Sequence, residues 1–308
     1  MKKNTKFLLK LAITIAFIWL ILVKVGVQET IDQLKNINPE WIALLLVFEV
    51  LTLLLSAINI FILVKKIKKD IPFLRVCKYF LRVWSINLFA PGKIGDFSLL
   101  YFLKKEDIKI GESTAIVIMN NIITLGVVFL FALFGVYTFF GIGNVVVFTI
   151  GGIIVLVIAG ILLLAKKVRA KIVSSILREK GTYFKGFGKW IQYMIKKEKG
   201  VLAANILITI INMFCIYMVY YIGFRMIGVV VSYSAIMAVV PLARLAALIP
   251  ITLNGLGIKE GVSIYLFGLL GVRGSIVLSA SLILTAITYL TGALATVITS
   301  LIDTTKKN

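Results

Sequence analysis

Four basic residues lie inside the most apolar stretches of this 308-residue chain, and their arrangement repeats. The first stretch carries Arg82 and Lys93, and the second carries Arg244 and Lys259, with Pro and Gly between the two bases of each pair. A charge at bilayer depth is costly, so it usually faces a cavity or a partner and marks a functional site. The four bases therefore predict sites for an anionic group such as a lipid phosphate.

A carboxylate follows each pair of bases, Asp96 in the first stretch and Glu260 in the second. These side chains could cap a restarting helix, pair with the preceding arginine or exchange a proton. Glu49 is the only other acidic residue inside a predicted span, and it is a further candidate for charge pairing or proton coupling. Arg82–Asp96 and Arg244–Glu260 are either structural ion pairs or parts of a substrate or ion site. Buried ion pairs are weak evidence for stability, which favours function slightly.

Proline and glycine interrupt both stretches near the middle. Proline ends the preceding helix, and glycine permits the backbone to turn. The helix that restarts would point its partial positive end into the membrane interior, beside Lys93 or Lys259. Irregular backbone survives at this depth only where protein or trapped water lines it. The predicted turn residues are Pro91, Gly92, Gly95, Pro250, Gly255 and Gly257.

The composition predicts a helical membrane protein. The chain is 60% hydrophobic with a mean hydropathy of +1.05, above the apolar share of a soluble domain. Its apolar runs are long and continuous, without the alternation of a transmembrane barrel. It has no histidine and two cysteines, with no C-x-x-C and no run of acidic ligands. We therefore expect no disulfide framework, no metal site and no cofactor.

Six apolar stretches have the length of full transmembrane helices. The broken stretches, 76–103 and 234–271, are either ordinary spans or hairpins that enter and leave on one side. The positively charged links 65–78 and 166–199 are both expected to be cytoplasmic. If 76–103 forms a hairpin, the lysines of link 104–112 also lie on the cytoplasmic side. If 76–103 crosses the membrane once, that link lies outside. The six predicted spans are 7–24, 41–64, 113–140, 145–165, 201–224 and 275–301.

The resulting topology places both termini in the cytoplasm of a multi-pass protein of the cell membrane. The order span, span, hairpin, span then occurs twice in opposite orientation, in residues 1–140 and 141–308. The first hairpin would enter from the cytoplasm and the second from outside. The predicted fold is all-α, with about six full transmembrane helices and two re-entrant, Pro/Gly-broken hairpins in an inverted repeat. Such broken helices meeting at mid-membrane are typical of alternating-access carriers.

The net charge of +21 does not indicate nucleic acid, because the bases cluster in the links where a membrane would compete for them. Link 166–199 interleaves basic and aromatic residues. This pattern is typical of an amphipathic surface segment that binds anionic headgroups. Membrane lipids are therefore the expected partners.

Two motifs carry a resemblance to a known family. They are Asn87-Leu-Phe-Ala-Pro-Gly-Lys-Ile-Gly-Asp96, followed by Tyr101-Phe-Leu, and Ile249-Pro-Ile-Thr-Leu-Asn-Gly-Leu-Gly-Ile-Lys-Glu-Gly261. Both resemble the lysylphosphatidylglycerol synthase transmembrane-region family, also described as flippase-like membrane proteins. The second motif is the stronger match, since the family more often has Glu where Asp96 stands and a basic residue near Leu99.

The resemblance implies a function in lipid movement. In bifunctional relatives this region flips an aminoacylated phospholipid made by a fused synthase domain, and some archaeal relatives act on polyprenyl-linked sugars in protein glycosylation. Because the chain ends at Asn308 after the last span, a stand-alone member without the synthase domain is expected.

The expected function is translocation of an anionic phospholipid or a polyprenyl-linked glycolipid between leaflets, and not enzymatic catalysis. No ATP-binding motif is visible, so transport would be passive or ion-coupled. One alternative is an integral-membrane enzyme of polyprenyl-lipid metabolism that uses Asp96 and Glu260 as acid and base. A second is an ion-coupled carrier of small solutes. A third is a purely structural partner protein, in which charge substitutions in the hairpins would harm folding alone. Under the main hypothesis the four bases contact the headgroup phosphate.

Overall fold

The computed structural model describes residues 15, 19, 27–35, 37–164, 186–249 and 251–304. Side chains are described for these residues except 27, 33, 91–94, 155–164 and 302–304. The predicted first span, 7–24, thus lies outside the described residues apart from Ile15 and Trp19, which are helical.

The described residues form α-helices and short 3-10 turns, and no strand occurs among them. The 3-10 turns cover Pro91–Ser98 and Leu253–Gly255. The helices are α1 Val27–Lys35, α2 Glu40–Val64, α3 Phe73–Phe89, α4 Leu99–Lys104, α5 Ile110–Leu164, α6 Phe187–Lys197, α7 Lys199–Met226, α8 Tyr233–Ala246, α9 Ile258–Leu269 and α10 Gly274–Thr304.

Four helices in the described ranges are long and apolar enough to cross a membrane, namely α2, α5, α7 and α10. They overlap the predicted spans 41–64, 113–140, 201–224 and 275–301. The span predicted at 145–165 is not confirmed as a separate span, because α5 runs through both predicted regions to Leu164. Gly141 breaks α5 with φ 77° and ψ 174°, a conformation that glycine adopts without the cost of a Cβ. Large apolar side chains such as Val47, Leu130 and Leu207 are exposed on these helices. Helices that are apolar all round fit a lipid environment.

Each Pro/Gly-interrupted stretch forms two helices joined by irregular backbone. The stretch predicted at 76–103 comprises α3, the 3-10 turn Pro91–Ser98 and α4. The stretch predicted at 234–271 comprises α8, a break with the 3-10 turn Leu253–Gly255, and α9. The helices α8 and α9 pack against each other. The sequence therefore located both breaks correctly.

The chain forms two compact units. Unit 1 contains 1–54, 84–95 and 212–308, and unit 2 contains 55–83 and 96–211. In unit 1, α9 packs against α8 and α10, and α10 packs against α1. In unit 2, α5 packs against α4 and α6. Each unit thus holds a helix that follows one of the two breaks, packed against the long helix that comes next.

Helix α6 shows how the basic link is attached to unit 2. Its apolar face is buried in the core of that unit, so the aromatic side chains of Phe187 and Trp190 pack against protein. The hydroxyl of Tyr193 donates to Glu198 at 2.7 Å, and Lys66 forms an ion pair with Glu198 at 2.8 Å. The lysines of α6 are exposed. Contact of this link with anionic headgroups stays a prediction that rests on them. Residues 166–185 of the link lie outside the described residues. The buried side chains of α6 include Phe187, Trp190, Ile191 and Met194.

An ion cluster joins the two ends of the first broken segment in unit 2. Glu106, just after α4, accepts hydrogen bonds from Tyr79 at 2.6 Å and from Arg75 at 3.1 Å, both near the start of α3. Lys68 donates to the backbone oxygen of Glu106 at 2.8 Å. The segment therefore begins and ends at the same place. Burial opposes the charge on Glu106, but bonds from Tyr79 and Arg75 and the charges of Arg75 and Lys68 hold its carboxyl pKa below its usual value.

Replacing Glu106 with Gln is expected to lower the stability of the protein by about 2 kcal/mol at neutral pH, because hydrogen bonds to a buried charge are lost. A carboxylate with a lowered folded-state pKa stabilises the fold above its unfolded pKa, and that contribution disappears as the pH falls through the folded pKa. The stability gap between wild type and Glu106→Gln should therefore shrink as the pH falls below the usual 4.5. Thermal unfolding in detergent over a pH series measures this gap.

The matched control is Asp107→Asn, which makes the same change at the exposed neighbouring residue. It should leave stability nearly unchanged. A gap between wild type and Glu106→Gln that is constant from neutral to acidic pH would contradict the assignment.

Candidate functional site

The second break is built by backbone conformations that few side chains tolerate. Asn254, Gly255 and Gly257 have φ values of 49°, 73° and 85°. A Cβ on Gly255 would lie 2.5 Å from the Cβ of Ala247. Gly255 is therefore required both for its left-handed conformation and for the close approach of the chain to the end of α8. Pro250, the predicted stop, lies outside the described residues.

The break places Arg244 and Lys259 close to each other. Arg244 is half-buried in the last turn of α8, and Lys259 lies in the first turn of α9 with 27% of its side chain exposed. The two charges are near enough to interact. Like charges at close range in a largely buried place repel, and an anion between them would relieve the repulsion.

Glu260 stabilises the start of α9. Its Oε2 accepts the backbone N–H of Gly257 at 2.7 Å, and its Oε1 lies 3.5 Å from Nζ of Lys259. The side chain is 5% exposed. Within the described part of the chain, Arg244 forms no ion pair with Glu260 at 4.0 Å or less. The predicted ion pair between Arg244 and Glu260 is therefore replaced by contacts of Glu260 with Lys259 and with the backbone.

Three tyrosines lie within electrostatic range of Arg244 or Lys259. Tyr217 is fully buried and lies within electrostatic range of Arg244. Tyr220 and Tyr289 lie within the same range of Lys259, and the hydroxyl of Tyr289 donates to the backbone oxygen of Leu88 at 2.8 Å. Sequence position alone favours an interfacial belt for Tyr217 and Tyr220, and sequence reasoning missed their proximity to the bases.

Glu49 joins the same group in unit 1. It lies in the first half of α2, is 8% exposed, and its Oε1 accepts a hydrogen bond from Thr288 of α10 at 3.3 Å. Its carboxylate is in electrostatic range of Lys259. The fold therefore gathers four predicted site residues from α2, α8 and α9. They are Arg244, Lys259, Glu260 and Glu49.

The first broken segment carries a second polar group. In unit 2, Asp96 accepts a hydrogen bond from Nδ2 of Asn121 at 2.9 Å, and the guanidinium of Arg82 lies 5.9 Å from the centre of the Phe102 ring. Asn121 is absent from the predicted site, although the adjacent asparagines Asn120 and Asn121 in an apolar span were its signal. Asn121 and Phe102 both lie in helices that follow the break, α5 and α4.

The predicted turn of the first segment is described only in part. Gly95 in unit 1 is buried, and a Cβ there would overlap the side-chain amide of Asn87 near the end of α3. Glycine is therefore needed for the chain to pass that amide. The side chains of Pro91, Gly92 and Lys93 lie outside the described residues.

Comparison of the chain with models of known protein families agrees with the resemblance seen in the two motifs. The chain has no match among the curated proteins. The family model described as "Lysylphosphatidylglycerol synthase TM region" matches residues 7–295, which include both broken segments and nearly all of the long apolar helices. The chain is therefore a multi-pass helical membrane protein that belongs to the lysylphosphatidylglycerol synthase transmembrane-region family.

Proposed function

We propose that the protein is a translocase that moves an anionic phospholipid or a polyprenyl-linked glycolipid between the leaflets of a cell membrane. The observation that carries this proposal is the pairing of Arg244 and Lys259 at a break between apolar helices. The two bases lie within electrostatic range of each other, and the carboxylate beside Lys259 is already bonded to the backbone. A lipid phosphate is the anionic group that a membrane supplies in quantity.

The start of α9 adds to the attraction for an anion. Helix α9 begins at Ile258, and its first N–H groups carry partial positive charge beside Lys259. Glu260 already accepts the N–H of Gly257 through Oε2, so one of its two oxygens serves as a helix cap. This use of Glu260 favours binding of a headgroup over the alternative of an enzyme.

Two further observations support a carrier built from hairpins. The contacts of Glu106 with Arg75 and Tyr79 hold the ends of the first broken segment together, and α8 packs along α9 in the second. In the proposed arrangement residues 1–140 and 141–308 form inverted repeats with both termini in the cytoplasm, following the positively charged links. Arg82 and Asp96 of unit 2 would then be the counterparts of Arg244 and Glu260.

Family membership relates the chain to lipid metabolism or transport. The exposed apolar faces of the long helices leave room for acyl chains to stay in the bilayer while the headgroup occupies the polar site. Transport of a small solute would instead need a cavity sealed from lipid, and no observation on the described residues favours that alternative.

Leaflet exchange of fluorescent phosphatidylglycerol in proteoliposomes tests the proposal. Wild type should exchange this lipid, and Arg244→Ala should exchange it at least about tenfold more slowly, since a charge-assisted contact is worth roughly 1.5–3 kcal/mol. The matched control is Arg273→Ala, at an exposed turn between α9 and α10. Because Arg244 is in no ion pair among the described residues, Arg244→Ala should keep the thermal stability of wild type. Exchange by Arg244→Ala at the rate of wild type would contradict the proposed site.

A further inference from the structure

We propose that Glu49 takes up a proton when an anionic headgroup binds beside Arg244 and Lys259, so that the lipid and a proton move together. This inference rests on the proposed function and names the residue that couples it to pH. It is carried by the burial of Glu49, by its hydrogen-bond partner and by the charge balance of the site.

Glu49 lies well inside a helix that is long and apolar enough to cross a membrane. It follows the first residue of α2 by nine positions, which places it roughly 14 Å along the helix in a hydrocarbon core about 30 Å thick. Its partner Thr288 also lies near the middle of its helix, α10. An ionisable residue at this depth is a functional candidate by default.

The partner of Glu49 suits both protonation states. Thr288 donates its hydroxyl proton to the carboxylate in the structure, and the same oxygen can accept a proton from a carboxylic acid, since a hydroxyl is both donor and acceptor. Protonation of Glu49 therefore keeps this hydrogen bond.

The other two predicted candidates for proton coupling are placed differently. Glu260 accepts the N–H of Gly257 through Oε2 and lies 3.5 Å from Nζ of Lys259 through Oε1. Both partners are donors only, so protonation of Glu260 would weaken its interaction with them. Asp96 accepts a hydrogen bond from Nδ2 of Asn121, a group that is a donor only, so its protonation would weaken that contact.

The charges around Glu49 balance before lipid binds. Glu49 lies in electrostatic range of Lys259 on α9. Lys259 in turn interacts with Glu260 beside it and with Arg244 on α8, and the neutral hydroxyls of Tyr220 on α7 and of Tyr289 on α10 lie in range of Lys259. Two bases and two carboxylates sum to zero, so a phosphate diester leaves one uncompensated negative charge. A proton from the aqueous phase that binds to the Glu49 carboxylate restores neutrality, and it is released when the lipid leaves. No bond of the lipid breaks in this step.

Proton uptake on lipid binding tests the inference directly. Short-chain phosphatidylglycerol is added to purified protein in phosphatidylcholine nanodiscs, and uptake is followed with a pH indicator in weak buffer. Wild type should take up a proton per bound lipid, and Glu49→Gln should take up none. Glu40→Gln is the matched control, because it makes the same change at the exposed start of α2.

The affinity for phosphatidylglycerol supplies a second readout. Because binding and proton uptake are linked, wild-type affinity should rise by up to about tenfold for each unit by which the pH falls. The affinity of Glu49→Gln should not change with pH. Thr288→Ser should behave as wild type and Thr288→Val should take up less proton, which tests the site even where Glu49→Gln folds poorly.

The outcomes separate this inference from the proposed function. Lipid exchange without proton uptake, or equal uptake by wild type and Glu49→Gln, would overturn the role of Glu49 and leave the translocase standing. Proton uptake that depends on Glu49, in a protein that exchanges no lipid, would support the binding site and overturn translocation.

Discussion

Replacing Lys259 with Met is expected to lower leaflet exchange of phosphatidylglycerol by about hundredfold. Methionine matches the length of lysine but removes the charge that faces Arg244, Glu49 and Glu260. Removing one partner of a buried, hydrogen-bonded charge pair costs roughly 2–5 kcal/mol, and about 3 kcal/mol corresponds to a factor on the order of hundredfold. The effect should exceed that of Arg244→Ala, because Lys259 contacts both Glu260 and the proposed phosphate.

The control for this prediction is Lys35→Met, at a lysine whose side chain is 66% exposed and contacts only Asp32 among the described ion pairs. It should exchange lipid at the rate of wild type. Lys259→Arg keeps the charge and should retain more exchange than Lys259→Met. If Lys259→Met exchanged phosphatidylglycerol within twofold of wild type, headgroup binding at this break would be wrong.

Replacing Gly255 with Ala is expected to destabilise the protein by about 3 kcal/mol. Two costs add, because a non-glycine residue must adopt φ 73° and its Cβ would lie 2.5 Å from Cβ and 2.9 Å from the backbone oxygen of Ala247. Left-handed strain and overpacking each cost roughly 1–3 kcal/mol. The backbone of Ala247 cannot move aside without disturbing the end of α8. Thermal unfolding in detergent measures the loss, and lipid exchange by the folded fraction reports on the site.

The matched control lies in the same segment. Gly268 in α9 has no atom within 4 Å of an added Cβ, so Gly268→Ala should leave stability unchanged or raise it by up to about 1 kcal/mol. Equal unfolding temperatures for Gly255→Ala and Gly268→Ala would show that the break does not need glycine at 255.

The ion pairs illustrate the limit of prediction from the sequence. The repeated order of arginine, glycine, lysine and carboxylate suggests that Arg244 pairs with Glu260, because the two are the charges of one segment. In the structure Glu260 bonds Gly257 and Lys259 instead. A carboxylate at the third position of a helix lies next to the backbone N–H of the preceding cap residue. This local contact therefore competes with any partner across the break.

Residues far apart in the chain were the least predictable part of the site. Thr288, Tyr217 and Tyr289 sit in apolar helices whose periodicity says nothing about which face meets a given base. Glu49 was recognised as a candidate because an acid in an apolar span is rare, but its position beside Lys259 depends on how α2 packs in unit 1.

The sequence by itself determined the helical membrane class, the places where the two segments break, and the bases and acids of the candidate site. These follow from local physics, since apolar length, the conformational freedom of glycine and the cost of buried charge are properties of short stretches. Only the tertiary structure decided which polar groups come together, with Arg244 in electrostatic range of Lys259, Glu49 bonded to Thr288 and Asp96 bonded to Asn121. Such contacts join residues from separate helices, and the packing of whole helix faces selects them.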